Sequence, residues 1–223
     1  MIIDSGLENY LWVPEVGNGI GSPGTPNPTI TITQPTPANP WLKVETVGAG
    51  YADGLAKLAR PLLLNPANKG ALTYAYELMT DVRTPNAAQA LETTPRIILP
   101  DGRDLPGDFQ INYEEGGMVQ IWQSAAKAWA DTGIVVGKYS PGKVYAVEQG
   151  YTWDELKGTM SLPWFSINGK VFEIPAAMQN VAMGTGLGWP PSEIVLQQQL
   201  DLNSKGGAFS VIYRNMQITY PGT

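Results

Sequence analysis

Glu193-Ile194-Val195-Leu196-Gln197-Gln198-Gln199-Leu200-Asp201 follows Gly188-Trp189-Pro190-Pro191-Ser192, and a polar loop, Leu202-Asn203-Ser204-Lys205-Gly206-Gly207, joins it to a second extended run, Ala208 to Tyr220. Read at period 2, Gln197, Gln199 and Asp201 share one face while Leu196 and Leu200 point the other way. A core strand would alternate apolar residues where this one carries three glutamines, so the polar face is equipped to hydrogen-bond something outside the core. The loop between the runs reads as a hairpin turn.

Working outward, the composition excludes whole classes of chemistry. The 223 residues suffice for one well-buried domain, and the net charge of −6 argues against a nucleic-acid or anionic-membrane partner, either of which needs a basic patch. Neither cysteine nor histidine occurs, so disulfides, thiolate metal sites and every Ser-His or Cys-His nucleophile arrangement are ruled out. Chemistry would have to rest on carboxylates, tyrosines or lysines. No run of about 18 apolar residues is present to insert in a membrane. The start, Met1-Ile2-Ile3-Asp4-Ser5, lacks a secretory signal.

Residues 1–40 read as an N-terminal segment and a Pro/Thr/Gly-rich spacer, with a small apolar cluster at Tyr10-Leu11-Trp12-Val13 and an alternating Thr29-Ile30-Thr31-Ile32-Thr33 that is able to pair as a strand. Spacers of this kind are frequent in exported proteins, so an extracellular or cell-surface location is expected, Met1 standing where a leader has been removed. Residues 41–223 read as one globular domain. Strand signals recur at Lys43–Val47, Leu55–Leu64, Ala71–Val82, Ala90–Leu99, Phe109–Tyr113, Met118–Gln123, Trp129–Val136 and Val144–Tyr151. The sharpest local signal is Trp164-Phe165-Ser166-Ile167, Asn168-Gly169, Lys170-Val171-Phe172-Glu173-Ile174. Asn-Gly tolerates the positive φ angles of a type I′ turn, so a two-residue hairpin with Phe165 opposite Phe172 is expected. Only Ser124–Ala130 and Pro175–Met183 carry a helical character. Many short strands with few or no helices predict an all-β fold of two antiparallel sheets, a jelly-roll sandwich.

Several motifs in order carry a resemblance: Trp122-Gln123, Trp129-Ala130-Asp131-Thr132-Gly133-Ile134, Ile167 to Phe172, Gly188-Trp189, Leu196 to Asn203, and Gly206 to Ser210. Over roughly residues 70 to 220 the chain resembles bacterial secreted domains of the concanavalin A-like lectin/glucanase superfamily, with lectins, laminin G-like modules, glycoside hydrolases and polysaccharide lyases among its members. The resemblance implies a concave front sheet that often carries a sugar site, with the strands of Glu77, Glu92, Gln110, Asn112, Gln120, Trp122 and Gln197 to Asp201 in front. It implies a back sheet containing Ala208 to Tyr220. Gln198 departs from the pattern, standing where relatives tend to carry a large apolar residue.

Three kinds of site follow. Sugars are held by amides, carboxylates and an aromatic face, which Glu77, Glu92, Gln110, Asn112, Gln120, Trp122, Gln197, Gln199 and Asp201 would supply; the competing reading is a solvated sheet face with Trp122 in the core. Hydrolysis would need two carboxylates, Glu77 with Glu92 or Asp81. Glu77 and Asp81 lie about 13 Å apart along one strand, wider than the roughly 5 to 9.5 Å of glycosidases. A lyase would have only Tyr113 or Tyr145 as base. No cofactor is expected; calcium is the one candidate, in the loop of Asp101, Asp104 and Asp108, since the segment from Asp201 has Lys205 and Ile212 where an EF-hand needs ligands. Trp153, Trp164 and Trp189 read as caps on the core. The preferred reading is a non-catalytic, lectin-like module binding a poly- or oligosaccharide. Its rivals are a glycoside hydrolase or polysaccharide lyase on the same fold, and a structural or adhesive module that binds protein.

Overall fold

A computed structural model of the chain describes residues 1–16, 27–61, 69–81, 83–179, 181–182 and 193–221. Among them are seventeen strands: β1 (Ile2–Ser5), β2 (Val13–Val16), β3 (Thr29–Thr33), β4 (Leu42–Gly48), β5 (Ala52–Pro61), β6 (Lys69–Thr80), β7 (Ala88–Ile98), β8 (Asp104–Pro106), β9 (Phe109–Asn112), β10 (Met118–Gln123), β11 (Ala128–Val135), β12 (Tyr145–Asp154), β13 (Thr159–Ile167), β14 (Lys170–Glu173), β15 (Val181–Ala182), β16 (Glu193–Leu202) and β17 (Gly207–Tyr220). A nine-stranded sheet runs β14-β13-β12-β6-β17-β4-β3, with β1 on β17 and β15 on β13; an eight-stranded sheet runs β11-β10-β9-β7-β16-β5-β2, with β8 on β7. All pairings are antiparallel, and the two sheets enclose one core, giving the expected jelly-roll sandwich.

The strand that opened the sequence reading lies between β7 and β5 in the eight-stranded sheet. Its parity is as read: Leu196, Gln198 and Leu200 are fully buried toward the core, and Gln197, Gln199 and Asp201 face outward. Burying the Gln198 amide without partners would cost a few kcal/mol. Its Nε2 donates to the Tyr74 hydroxyl (3.0 Å), and its Oε1 accepts from Thr93 Oγ1 (3.0 Å), which also pairs with the Tyr76 hydroxyl (3.0 Å). Tyr74 and Tyr76 belong to the opposite sheet, so this network pins one sheet to the other in a single register. That is why an amide occupies an apolar position.

The loop after β16 is not a hairpin turn. β16 and β17 lie in different sheets, and the chain crosses the sandwich edge between them, held by Asn203, whose Nδ2 donates to Asn86 O (3.1 Å) and whose backbone N–H donates to Ala87 O (2.8 Å). β17 then spans the nine-stranded sheet. Its core residues Phe209, Val211 and Tyr213 change parity to Met216, Ile218 and Tyr220 through an irregularity at Asn215, whose φ is 53°. Asn tolerates that angle, and the extra residue keeps both halves of the strand facing inward.

The hairpin at Asn168-Gly169 is as read, with φ angles of 52° and 78°, Phe165 paired with Phe172 and their rings stacked at 4.9 Å. Residues 124–130 form no helix: a turn leads into β11, and Lys127 takes a φ of 50°. Of 175–183 only the 3₁₀ turn Ala176–Met178 is helical among the described residues, and one further turn of helix, Thr84–Ala87, precedes β7. The segment expected as leader and spacer supplies β1, β2 and β3, and it buries Leu7 and Trp12 completely or nearly so. Glu8 closes this corner by accepting the Met216 backbone N–H at 2.9 Å. Proline and threonine favour an extended chain, and an extended chain is what the edge of a sheet accepts. Trp153 is buried against Gly70, and Trp164 lies half-buried over Gly150; Gly188 and Trp189 lie outside the described residues.

Candidate functional site

The outward face of the eight-stranded sheet forms the floor of a groove of about 1160 Å³. Register builds it. One row of neighbours runs Leu55, Gln199, Glu92, Gln110, Gln120, Asp131 across β5, β16, β7, β9, β10 and β11; a second brings Asp53 beside Asp201; a third sets Gln197 between Lys57 and Thr94. At roughly 4.8 Å per strand the first row spans about 24 Å. Trp122 and Trp129, paired across β10 and β11 with ring centroids 5.5 Å apart and planes at 69°, wall one end and remain half-buried.

Eight of the nine residues singled out for sugar binding line this groove: Glu92, Gln110, Asn112, Gln120, Trp122, Gln197, Gln199 and Asp201. The ninth does not. Glu77 sits on β6 in the nine-stranded sheet and faces away from the core on the far side of the sandwich. There its Oε2 accepts from Arg214 Nε (2.7 Å) and its Oε1 from Asn215 Nδ2 (2.9 Å), and the Arg214 contact holds its carboxyl below the usual range. Asp81, one residue past the end of β6, accepts from Arg83 and is lowered in the same way. A catalytic pair of Glu77 with Glu92 is therefore excluded: their side chains point outward from opposite sheets, whose separation is about 10 Å before the side chains are added. Of the two tyrosines offered as a lyase base, Tyr113 is buried in the core with its acidity suppressed by burial, and Tyr145 lies on β12 of the nine-stranded sheet, where its hydroxyl accepts the Ser140 backbone N–H at 2.9 Å.

Within the groove the amides divide into two groups. Gln120 is saturated: its Oε1 accepts from Gln110 Nε2 and Asn112 Nδ2, and its Nε2 donates to Asp131 (2.6 Å) and Glu115 (3.2 Å). Asn112 accepts the backbone N–H groups of Glu114 and Glu115 and shapes the turn after β9. These two position the floor. By contrast Gln110 Oε1 and Gln197 Nε2 have no partner among the described residues, although the side chains are only 4 % and 7 % exposed. Both open onto the groove.

The carboxyls form the electrostatic centre. Glu92 and Asp201 are hydrogen-bonded to each other, and Gln199 Nε2 donates to Asp201 Oδ1 (3.0 Å). Burial pushes Glu92 up to about 8, with the charges of Asp108 and Asp53 adding to the effect; burial and the neighbouring Glu92 push Asp201 up as well. Glu92 therefore keeps its proton at neutral pH. Among the described residues, both cations of the groove, Lys57 and Arg96, are held by acids. Lys57 pairs with Glu15, while Arg96 donates to Gln197 Oε1 (2.6 Å), Asp104 Oδ2 (2.6 Å) and Asp108 Oδ1 (3.3 Å). Asp104 and Asp108 thus pair with Arg96, and Asp101 with Arg103 (2.6 Å). Among the described residues no three acidic side chains are grouped to hold a metal.

Sequence reasoning missed Asp53, Arg96 and Trp129. The signals were present: Arg96 shares strand parity with Glu92, Asp53 shares it with Lys57, and Trp129 falls opposite Trp122 once the turn between β10 and β11 is known. Only the pairing could turn those parities into one site.

No family model matches the chain, and no curated protein matches it in sequence. Solved structures do match. The basic winged bean lectin, solved with Tn-antigen, superposes at a TM-score of 0.51 with 10% identity over 95% of this chain and 100% of the lectin. Lectin II from Ulex europaeus gives 0.51, with 9% identity over 94% and 99%. The fold is a concanavalin A-like jelly roll. A structure of carbohydrate-binding modules from the β-sandwich superfamily gives 0.45 with 10% identity, and this chain spans 59% of that one. At these identities the likeness is one of architecture.

Proposed function

We propose that the chain is a non-catalytic carbohydrate-binding module that lays a poly- or oligosaccharide across the groove of the eight-stranded sheet. The observation that carries this reading is the juxtaposition of an aromatic wall, Trp122 with Trp129, and two nearly buried amide groups, Gln110 Oε1 and Gln197 Nε2, that open onto the groove without partners among the described residues. A saccharide satisfies both at once: hydroxyls meet the amides and an apolar ring face meets the indoles. The lectins among the structural neighbours support the same reading. An exported protein acting on extracellular glycans fits it, and among the described residues no helix is long and apolar enough to cross a membrane.

Hydrolysis is the second reading, because a carboxyl raised to about 8 is suited to proton donation. Against it, the pair available is Glu92 with Asp201, and direct hydrogen bonding holds them closer than the roughly 5 Å or more between glycosidase carboxyls. A glycan array with product analysis tests both. Binding with intact glycan, abolished in Trp122→Ala while the thermal midpoint stays within a few degrees, is the expected outcome. Unchanged binding in that variant overturns the groove as the site, and shortened or unsaturated products make the protein an enzyme.

A further inference from the structure

We infer that the saccharide taken by this groove carries a free amine, its ammonium seated beside Glu92, Asp201 and Asp53. The inference rests on the groove being a saccharide site and names the class. Its first ground is geometric. Asp53 stands beside Asp201 across β5 and β16, and Asp201 is hydrogen-bonded to Glu92 on β7, so the three carboxyls occupy adjoining strands at the middle of the floor. The groups facing Glu92 are Asp201 from β16, Asp53 from β5, Asp108 from the turn before β9 and Arg96 from its own strand, with uncharged Gln110 beside it on β9.

The second ground is what the two cations do. Lys57 is held by Glu15, and Arg96 is shared among Gln197, Asp104 and Asp108, so neither is presented to an anionic sugar. A uronate or sulfated glycan would enter a trough lined by carboxyls whose two cations among the described residues already face acids. An ammonium fits the same place. It donates three hydrogen bonds, carries one charge, and needs no closed ligand shell of the kind a metal ion requires. Gln110 Oε1 and Gln197 Nε2 on either side remain for hydroxyls.

When the ammonium seats, the proton that burial keeps on Glu92 leaves for solvent, because a cation at contact distance lowers carboxyl affinity for protons. Calorimetric titration of the full chain tests this with β-linked glucosamine and galactosamine oligomers, their N-acetylated counterparts and an oligouronate of equal length. Runs at pH 5 and 6.5 in two buffers of different ionisation heat count the protons. An amine-bearing oligomer is expected to bind at least tenfold more tightly than its N-acetylated form at pH 6.5, tighter than at pH 5, and with net proton release. The oligouronate should be the weakest of the set. Glu92→Gln, and separately Asp201→Asn, should collapse the preference for the amine.

N-acetylated forms binding as tightly as amines, or binding without proton release, would overturn the amine while leaving the groove reading to stand on the Trp122→Ala result. Silence from both amine-bearing oligomers would overturn it too. Loss of all binding in Trp122→Ala without any amine preference in the wild type would keep the groove and discard the ammonium.

Discussion

The two outer faces of this sandwich use the same acids in opposite ways. On the nine-stranded sheet each acid in question meets a cation: Glu77 with Arg214, Asp81 with Arg83, and Glu45 with both Lys43 and Arg83. Their carboxyls lie below the ordinary range, chiefly through Arg214 for Glu77 and Arg83 for Asp81, with Lys43 and Arg83 overcoming burial for Glu45. On the eight-stranded sheet, Glu92 and Asp201 face each other and Asp53, and their carboxyls lie above it. One face has settled its charges internally. The other crowds acids together, an arrangement that costs stability and that a cation would relieve.

The contrast should break most violently at Arg96, the groove's own exception to this pattern. Its guanidinium touches Asp104, whose side chain is 2% exposed, and removing one partner of such a pair leaves a buried charge alone. Arg96→Ala is expected to cost about 3–5 kcal/mol in urea unfolding at pH 7. A loss under about 1 kcal/mol would mean that water reaches Asp104 and that the groove floor is wetter than its burial implies.

Glu92→Gln comes next, with the sign reversed. In the folded chain the Glu92 carboxyl titrates at about 8, above the roughly 4.3 of an exposed glutamate, so the folded state keeps a proton that the unfolded state releases. Stability then falls as pH rises between those two values, by up to about 1.4 kcal/mol per pH unit. Glutamine cannot ionise and still donates to Asp201. The variant should be more stable than the wild type at pH 8 by about 2 kcal/mol, raising the thermal midpoint by roughly 4–8 °C, and should show a flatter profile from pH 5 to 8. An unchanged profile would place the pair in solvent-like surroundings and remove the contrast between the faces.

How much of this was legible in the sequence depends on whether a local rule or a pairing carried the information. The hairpin at Asn168-Gly169 could be read residue by residue, since turn type follows from two adjacent residues and register follows from the turn. β10 was read as Met118–Gln123, the span it occupies. Strand parity placed Gln197, Gln199 and Asp201 on one face. Parity alone does not say which sheet a strand joins, and that is where Glu77 was misplaced: β6 pairs with β12 and β17, so its polar face looks out from the other side of the molecule. The same gap hid the crossover after β16, because a polar loop of Asn, Ser and Gly looks alike whether the next strand pairs with the last one or crosses to the other sheet. Gln198 was flagged as out of place from the pattern of relatives. Its reason, two tyrosine hydroxyls and a threonine from strands far away in sequence, is tertiary and has no local signature.

The smallest effect is expected on the settled face, and it serves as the control for the other two. Glu77 is held below its ordinary pKa by Arg214 and Asn215, so its pairing contributes stability that is present above the ordinary glutamate range and is lost as pH falls through the depressed folded value. The side chains of Glu77 and Arg214 are 26% and 38% exposed, which leaves their attraction screened by water and salt. Glu77→Gln should therefore cost no more than about 1 kcal/mol at pH 7, and less in 1 M salt. Because Glu77 lies across the sandwich from the groove, the variant should bind every saccharide as the wild type does. A change in saccharide affinity would couple the two faces through the Tyr74–Gln198–Thr93 network that joins the sheets. Unfolding and binding titrations of Glu77→Gln alongside Glu92→Gln, in one buffer series, would separate a difference between surfaces from a property of the whole fold.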